Sequence, residues 1–153
     1  MIKWIKNDDG LLVGELRYDY FDCDIEFVAD ESVDSDYIKR CALYLNEVTE
    51  KVIDHLCEAS VRYCNDFLDS IGEKKCEFTK TEDILSLITP SCLSVSEPQK
   101  GSEPIVSLEL DCEWEIEHGM EWVIREGKVI YVGVFTGTCP WEGYESDLFD
   151  NFA

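Results

Sequence analysis

The sequence predicts an α+β fold: an antiparallel sheet from an N-terminal meander and C-terminal hairpins, packed on one long helix plus a short helix. Three observations carry this. Apolar and polar residues alternate in the first thirty residues, apolar residues recur at three- and four-residue steps over 34–71, and the alternation returns after Pro104. The 153 residues fit a single α+β domain spanning 1–153. Such a chain buries roughly two-thirds of its unfolded surface. With 45% hydrophobic residues it has the material to do so, which excludes general disorder.

Residues 2–6 read as a short strand, Asn7, Asp8, Asp9 and Gly10 as a turn, and 11–20 as a strand rich in β-formers. In the third run Cys23, Ile25 and Phe27 share one face while Asp24 and Glu26 share the other, the pattern of a meander with one wet side.

From Asp34 the period changes. Ile38, Cys41, Ala42, Leu45, Val48, Val52, Ile53, Leu56, Val61, Cys64, Phe67 and Leu68 form one wide helical stripe. Ser35 or Asp34 caps its start and Gly72 ends it, with a kink or break expected, if anywhere, near residues 58–60. A short helix follows at 81–88, capped by Thr79 or Thr81 and stopped by Pro90. Residues 91–104, holding Ser, Pro, Lys and Gly, predict a mobile loop.

After Pro104, Val106, Leu108, Leu110, Cys112, Trp114 and Ile116 point one way along a strand, with a turn expected at Glu117, His118 and Gly119. A second strand at 120–125 leads through the two-residue turn Glu126-Gly127 into a third at 128–135. The aromatic residues of the tail, Trp141, Tyr144, Phe149 and Phe152, predict that it packs back onto the sheet.

Thirteen Lys and Arg stand against thirty-four Asp and Glu, a net charge of −21. That balance repels nucleic acid and anionic membrane and favours a basic protein, cations or no partner at all. No run of apolar residues is long enough to span a bilayer, and the N-terminal residues hold no apolar signal core, so a cytoplasmic location is expected. The eight cysteines include no C-x-x-C pair, and Cys41, Cys57 and Cys64 fall on the helical stripe, so reduced thiols are expected. No cofactor is predicted.

The row Glu109, Asp111, Glu113, Glu115 and Glu117 is the least expected feature. On one strand, alternate residues share a face about 6.6 Å apart, so five carboxylates there repel one another. Two explanations stay open, a solvated outer face and a docking surface for a positively charged protein, with Trp122, Trp141 and Tyr144 as candidate aromatic anchors. A divalent cation bound along the row is the alternative, although no loop with Gly at its turn surrounds the oxygens. For catalysis, His55 reads as a helix residue, and His118, beside Glu117 at a turn, is the better candidate for a small hydrolase. Without any recognised nucleophile, phosphate or metalloprotease motif, no catalytic residue is assigned and the chain is not expected to be an enzyme.

Trp114, Glu117, His118, Gly119, Glu126, Gly127, Lys128, Val129, Val132 and Gly133 resemble a group of uncharacterised bacterial domains. That group has an N-terminal strand pair, a helical middle and a C-terminal W-x-x-E-H-G turn followed by a hairpin. Some of its members are proposed as immunity proteins of toxin systems. The resemblance implies an immunity protein; taken with the charge pattern, the expectation is an acidic cytosolic protein that neutralises a basic toxin by occluding it, through 109–117 and the acidic tail.

Overall fold

A computed structural model describes residues 2–6, 9–99, 101, 103–141, 144 and 149–153. Strands β1 (Ile2–Lys6), β2 (Leu11–Tyr18) and β3 (Cys23–Asp30) form the predicted antiparallel meander. Gly10 turns the chain into β2 with φ at +76°, a conformation in which a Cβ is strained. Asn7 and Asp8, expected in the same turn, lie outside the described residues.

Four more strands, β4 (Ile88–Val95), β5 (Ile105–Cys112), β6 (Glu115–Arg125) and β7 (Lys128–Val134), complete a seven-stranded sheet whose spatial order follows the chain. All neighbours are antiparallel except β3 and β4, which run parallel because the helical segment crosses between them. The architecture is therefore the predicted α+β fold.

The helical stripe is not one helix. It divides into α1 (Ser35–Asn46) and α2 (Glu50–Ser70), with the break at Glu47, Val48 and Thr49 instead of near 58–60. Asp34 caps α1, and the Thr49 hydroxyl accepts a hydrogen bond from the Val52 N–H at 3.3 Å to cap α2. Asn46, the last residue of α1, ties the helix to the end of β2: its side chain donates to the Arg17 carbonyl and accepts from the Asp19 N–H, both at 2.8 Å. Asn and Thr compete for backbone groups in this way and favour helix ends. The apolar spacing of Leu45, Val48 and Val52 runs through the joint, so periodicity alone conceals it.

Both helices cover one face of the sheet. Ile38, Leu45, Ile53, Leu56 and Cys64 pack there against Leu16, Phe27, Leu93, Leu108, Met120, Trp122 and Val132. Gly72, φ +75°, follows the end of α2 as predicted. None of the eight cysteines is bonded to another, and Cys41, Cys57 and Cys64 are buried as small apolar groups. Among the described residues no helix is long and apolar enough to cross a membrane.

A 3-10 helix occupies Thr81–Leu87; its cap is neither Thr79 nor Thr81, since the Asp83 carboxylate accepts the Lys80 N–H at 3.1 Å. The chain then runs straight through Pro90 into β4. Residues 91–95, expected in a mobile loop, are thus part of a central strand. The ladder shifts between Pro90 and Cys92, and such a bulge is where a strand tolerates a residue without an N–H donor. Ile88, Leu93 and Val95 bury themselves in the core and hold the strand in place.

At the far edge, Glu126 (φ 53°) and Gly127 (φ 70°) form the predicted two-residue turn between β6 and β7. Residues 149–153 then return alongside β7. The Phe152 N–H donates to the Val132 carbonyl at 2.9 Å, while Asn151 accepts the Val132 N–H and donates to the Ile130 carbonyl. Gly133 permits this approach, because a Cβ there would meet the Asp150 carbonyl oxygen at 2.7 Å. Trp141, Tyr144 and Phe152 pack back onto the folded body, as their aromatic character predicts.

Candidate interaction face

The five acidic residues do not lie along one strand. The chain reverses at Glu113 and Trp114, so Glu109 and Asp111 belong to β5, Glu113 to the turn, and Glu115 and Glu117 to β6. The alternation conceals this turn because Cys112 and Trp114 are both buried although the strand has ended between them. Trp114 packs edge-on against Tyr63 with ring centroids 5.6 Å apart, and the Glu113 N–H donates to the Leu87 carbonyl at 3.0 Å.

The expected hairpin turn at Glu117, His118 and Gly119 is instead a bulge inside β6. Residues 116–119 stand opposite Asp111 alone, since Leu110 pairs with Met120 and Cys112 with Glu115. Gly119 (φ +69°) lies so close to the Leu110 carbonyl that a Cβ would reach it at 2.8 Å. Its own carbonyl accepts the Tyr63 hydroxyl at 3.0 Å. Glu115 holds the bulge from within. One carboxylate oxygen accepts the N–H groups of Glu117 (3.0 Å) and His118 (3.3 Å), and the other accepts His118 Nδ1 at 3.0 Å. Burial pushes the Glu115 carboxyl up, but these hydrogen bonds outweigh it and hold it below the ordinary glutamate range. Glu117 and His118 are exposed on the bulge. Ligand atoms of Glu115, Glu117 and His118 lie within 4.8 Å of one another and could contact one cation.

The acidic row that does form runs across the strands. On the face opposite the helices, the register aligns Lys3, Glu15, Glu26, Cys92, Glu109, Glu121 and Gly133 from β1 to β7. Neighbouring strands are about 4.8 Å apart, closer than alternate residues along one strand. Lys3 pairs with Glu15 at 3.9 Å, and Arg17 reaches Asp24 at 3.8 Å. Among the described residues no ion pair reaches Glu26, Glu109, Asp111 or Glu113. Burial and then the charge of Asp111 push the Glu109 carboxyl up. Burial, with Glu109 and Glu26 on either side, pushes the Cys92 thiol up to about 11. Glu15, Glu26 and Cys92 escape sequence reading because cross-strand register is not written in local periodicity; the wet alternation of β2 and β3 is the only signal for them.

Glu121 closes the row beneath the chain that follows β7. It is 1% exposed, and its carboxylate accepts the hydroxyls of Thr136 (3.2 Å) and Tyr144 (3.5 Å). Burial raises this carboxyl, and hydrogen bonds from the Thr136 and Gly137 N–H groups and the two hydroxyls offset only part of the rise. Tyr144 stacks on Tyr131 with centroids 4.7 Å apart, and Trp141 packs beside it on Ile105, Val123 and Tyr131. Both aromatics are half-buried walls of this second small core. Trp122 is not an anchor for any partner. It is fully buried beneath α2, where its indole N–H donates to Ser60 Oγ at 3.0 Å. Glu142, Glu145 and Asp147 of the acidic tail lie outside the described residues.

The seven-stranded sheet, with its crossover helices on one face, defines an α+β domain. Residues 3–140 match the family described as Domain of unknown function (DUF6985), and the chain belongs to that family. Searches of curated proteins and of solved structures returned no match.

Proposed function

We propose that this is a cytoplasmic acidic binding protein that docks a basic protein partner on the open face of its sheet and occludes it, without performing a reaction. The resemblance stated above extends the reading to an immunity protein with a toxin as its partner. The observation that carries it is the adjoining Glu26, Glu109 and Asp111, which no ion pair reaches among the described residues, in a row that begins at the paired Glu15. A face that keeps unneutralised carboxylates at strand spacing projects a field that speeds encounter with a cationic surface and rejects anionic ones. The helices lie on the opposite face and the segment after β7 covers only the Glu121 end, which leaves Glu26 and Asp111 exposed.

The experiment is co-expression with the product of the adjacent gene, read by co-purification and growth rescue. Rescue that is lost when Glu26, Glu109, Asp111 and Glu113 are changed together to Gln or Asn supports the reading. Rescue that survives those changes, or no rescue by the parent, overturns it. Glu115 is left intact because it holds the bulge.

A second reading, a divalent-cation site, is favoured by the convergence of Glu115, Glu117 and His118. Two carboxylates and an imidazole suit zinc or manganese, but the cation must displace hydrogen bonds that Glu115 already accepts. Calorimetric titration with zinc decides it: heat and a raised melting temperature, both lost in His118→Ala, support the site, and their absence in the parent eliminates it.

A further inference from the structure

Away from the open face, a groove of about 300 Å³ separates α2 from the returning chain, lined by Tyr63, Asp66, Phe67, Ser70, Glu115, Val134, Phe149, Asp150 and Phe152. Tyr63, Asp66, Phe67 and Ser70 come from α2 at the spacing of one helical face. The opposite wall is fixed by Arg62, whose guanidinium donates to the Phe152 carbonyl at 2.6 and 3.1 Å, and by the stacking of Phe152 on Tyr63 at 5.5 Å.

The lining has a consistent chemistry. Four rings and three carboxylates line the groove, and the cation beside it, Arg62, is turned to the Phe152 carbonyl. Aromatic faces attract a cation, carboxylates pair with it, and rings also accept an apolar stem. An anion would be repelled by the three carboxylates.

We propose that this groove is a binding site for one cationic side chain, an arginine guanidinium or lysine ammonium presented on its apolar stem by a polypeptide. The proposal rests on the basic-partner reading for the source of the side chain, and adds a shaped anchor to the diffuse charge of the open face. Asp66 and Asp150 pair with the cation at the mouth, and Phe67 and Phe149 flank its stem. Glu115, whose oxygens are engaged with the bulge, contributes charge from the floor.

The test uses small probes and therefore fails or succeeds separately from the docking experiment. N-acetyl-arginine methylamide and its lysine counterpart are titrated into the labelled protein, and the amide resonances of Ser70, Phe149 and Phe152 are followed by NMR. Expected are saturable shifts with at least one probe and none with the citrulline analogue. The paired substitution Asp66→Asn with Asp150→Asn should weaken the probe by about ten-fold or more, whereas Glu26→Gln with Glu109→Gln on the open face leaves it unchanged. No saturable shift with either probe, equal shifts with citrulline, or equal weakening by the open-face pair overturns the groove as a site. Failure of co-purification while probe binding persists counts against the basic partner and leaves the groove standing.

Discussion

Glu109 on β5 and Glu121 on β6 stand directly opposite one another, two carboxylates at the place where adjoining strands commonly match opposite charges or apolar groups. One is half-buried beside Cys92, and the other is covered by the segment carrying Thr136 and Tyr144. Both are raised above the ordinary glutamate range, chiefly by burial. A raised carboxyl favours the folded state below its unfolded value, and that contribution is lost as pH rises through its folded value. Glu109→Gln removes one charge of the facing pair and should raise stability by up to about 1 kcal/mol at neutral pH, with the gain closing as pH falls into the carboxyl range. Glu121→Gln removes the other charge but turns an amide NH2 toward the Thr136 and Gly137 N–H groups that the carboxylate accepts, so it should gain less. Urea midpoints at neutral and acid pH measure both. If neither variant gains stability at neutral pH, the pair is not in conflict.

Glu115 works in the opposite sense. Its carboxylate satisfies two backbone N–H groups and the His118 ring, and it is held below its ordinary range. Its contribution is present above the unfolded value and is lost as pH falls through the folded one. Glu115→Ala leaves both N–H groups to water and loosens the bulge, costing about 1–3 kcal/mol. His118→Ala removes only an exposed contact and should cost less than half as much. Denaturant midpoints rank the two, and equal losses would contradict the role given to Glu115.

Ser60 tests the reassignment of Trp122. Its hydroxyl donates to the Leu56 carbonyl at 2.7 Å and accepts the Trp122 indole N–H at 3.0 Å, both in the buried core. Ser60→Ala orphans the indole donor, with an expected loss of about 1–3 kcal/mol. Trp122→Phe removes the donor along with volume, and in combination with Ser60→Ala it should cost less than the two single losses added. Full additivity in a double-mutant cycle would mean that the hydrogen bond contributes nothing.

The strands of the meander, the Glu126-Gly127 turn and the end of α2 at Gly72 were legible because each is encoded within a few adjacent residues. The misreadings share one cause: a pattern of burial that continues where the chain does not. Val48 keeps the helical stripe across the break before Thr49, and Trp114 keeps the strand alternation across the reversal after Cys112. Pro90 shows the converse, a residue that signals a stop but is accommodated by a bulge in a central strand. The candidate face was legible as excess charge and not as geometry. Placing Glu26 beside Cys92 requires the parallel crossover pairing of β3 and β4, a contact between residues more than sixty positions apart.

Cys92 reports on that geometry directly. Its thiol is displaced to about 11 by burial and by the carboxylates of Glu109 and Glu26. Only the thiolate reacts, so alkylation by iodoacetamide should be slow near neutral pH and rise toward an inflection at about 11. Glu109→Gln removes one neighbouring charge and should move that inflection downward. Mass spectrometry of the Cys92 peptide across a pH series follows it, and an inflection near the ordinary thiol value would mean that the row is not assembled as described.

Salt provides the broadest test of the charged face. The chain carries a net −21, and the carboxylates of Glu26, Glu109, Asp111 and Glu113 have no ion-pair partner among the described residues. Repulsion between charges one strand apart acts well inside the screening distance at low ionic strength and weakens as that distance shrinks to about 8 Å near physiological salt. Sodium chloride should therefore raise the melting temperature from low to moderate concentration, and the rise should be smaller when Glu26 and Glu109 are changed together to Gln. The same screening weakens attraction to a basic partner, so association should slow over the range in which the free protein becomes more stable. Stopped-flow association and calorimetric melting on identical buffers measure the two responses together. A melting temperature that stays flat or falls with salt would show that the acidic face carries no strain.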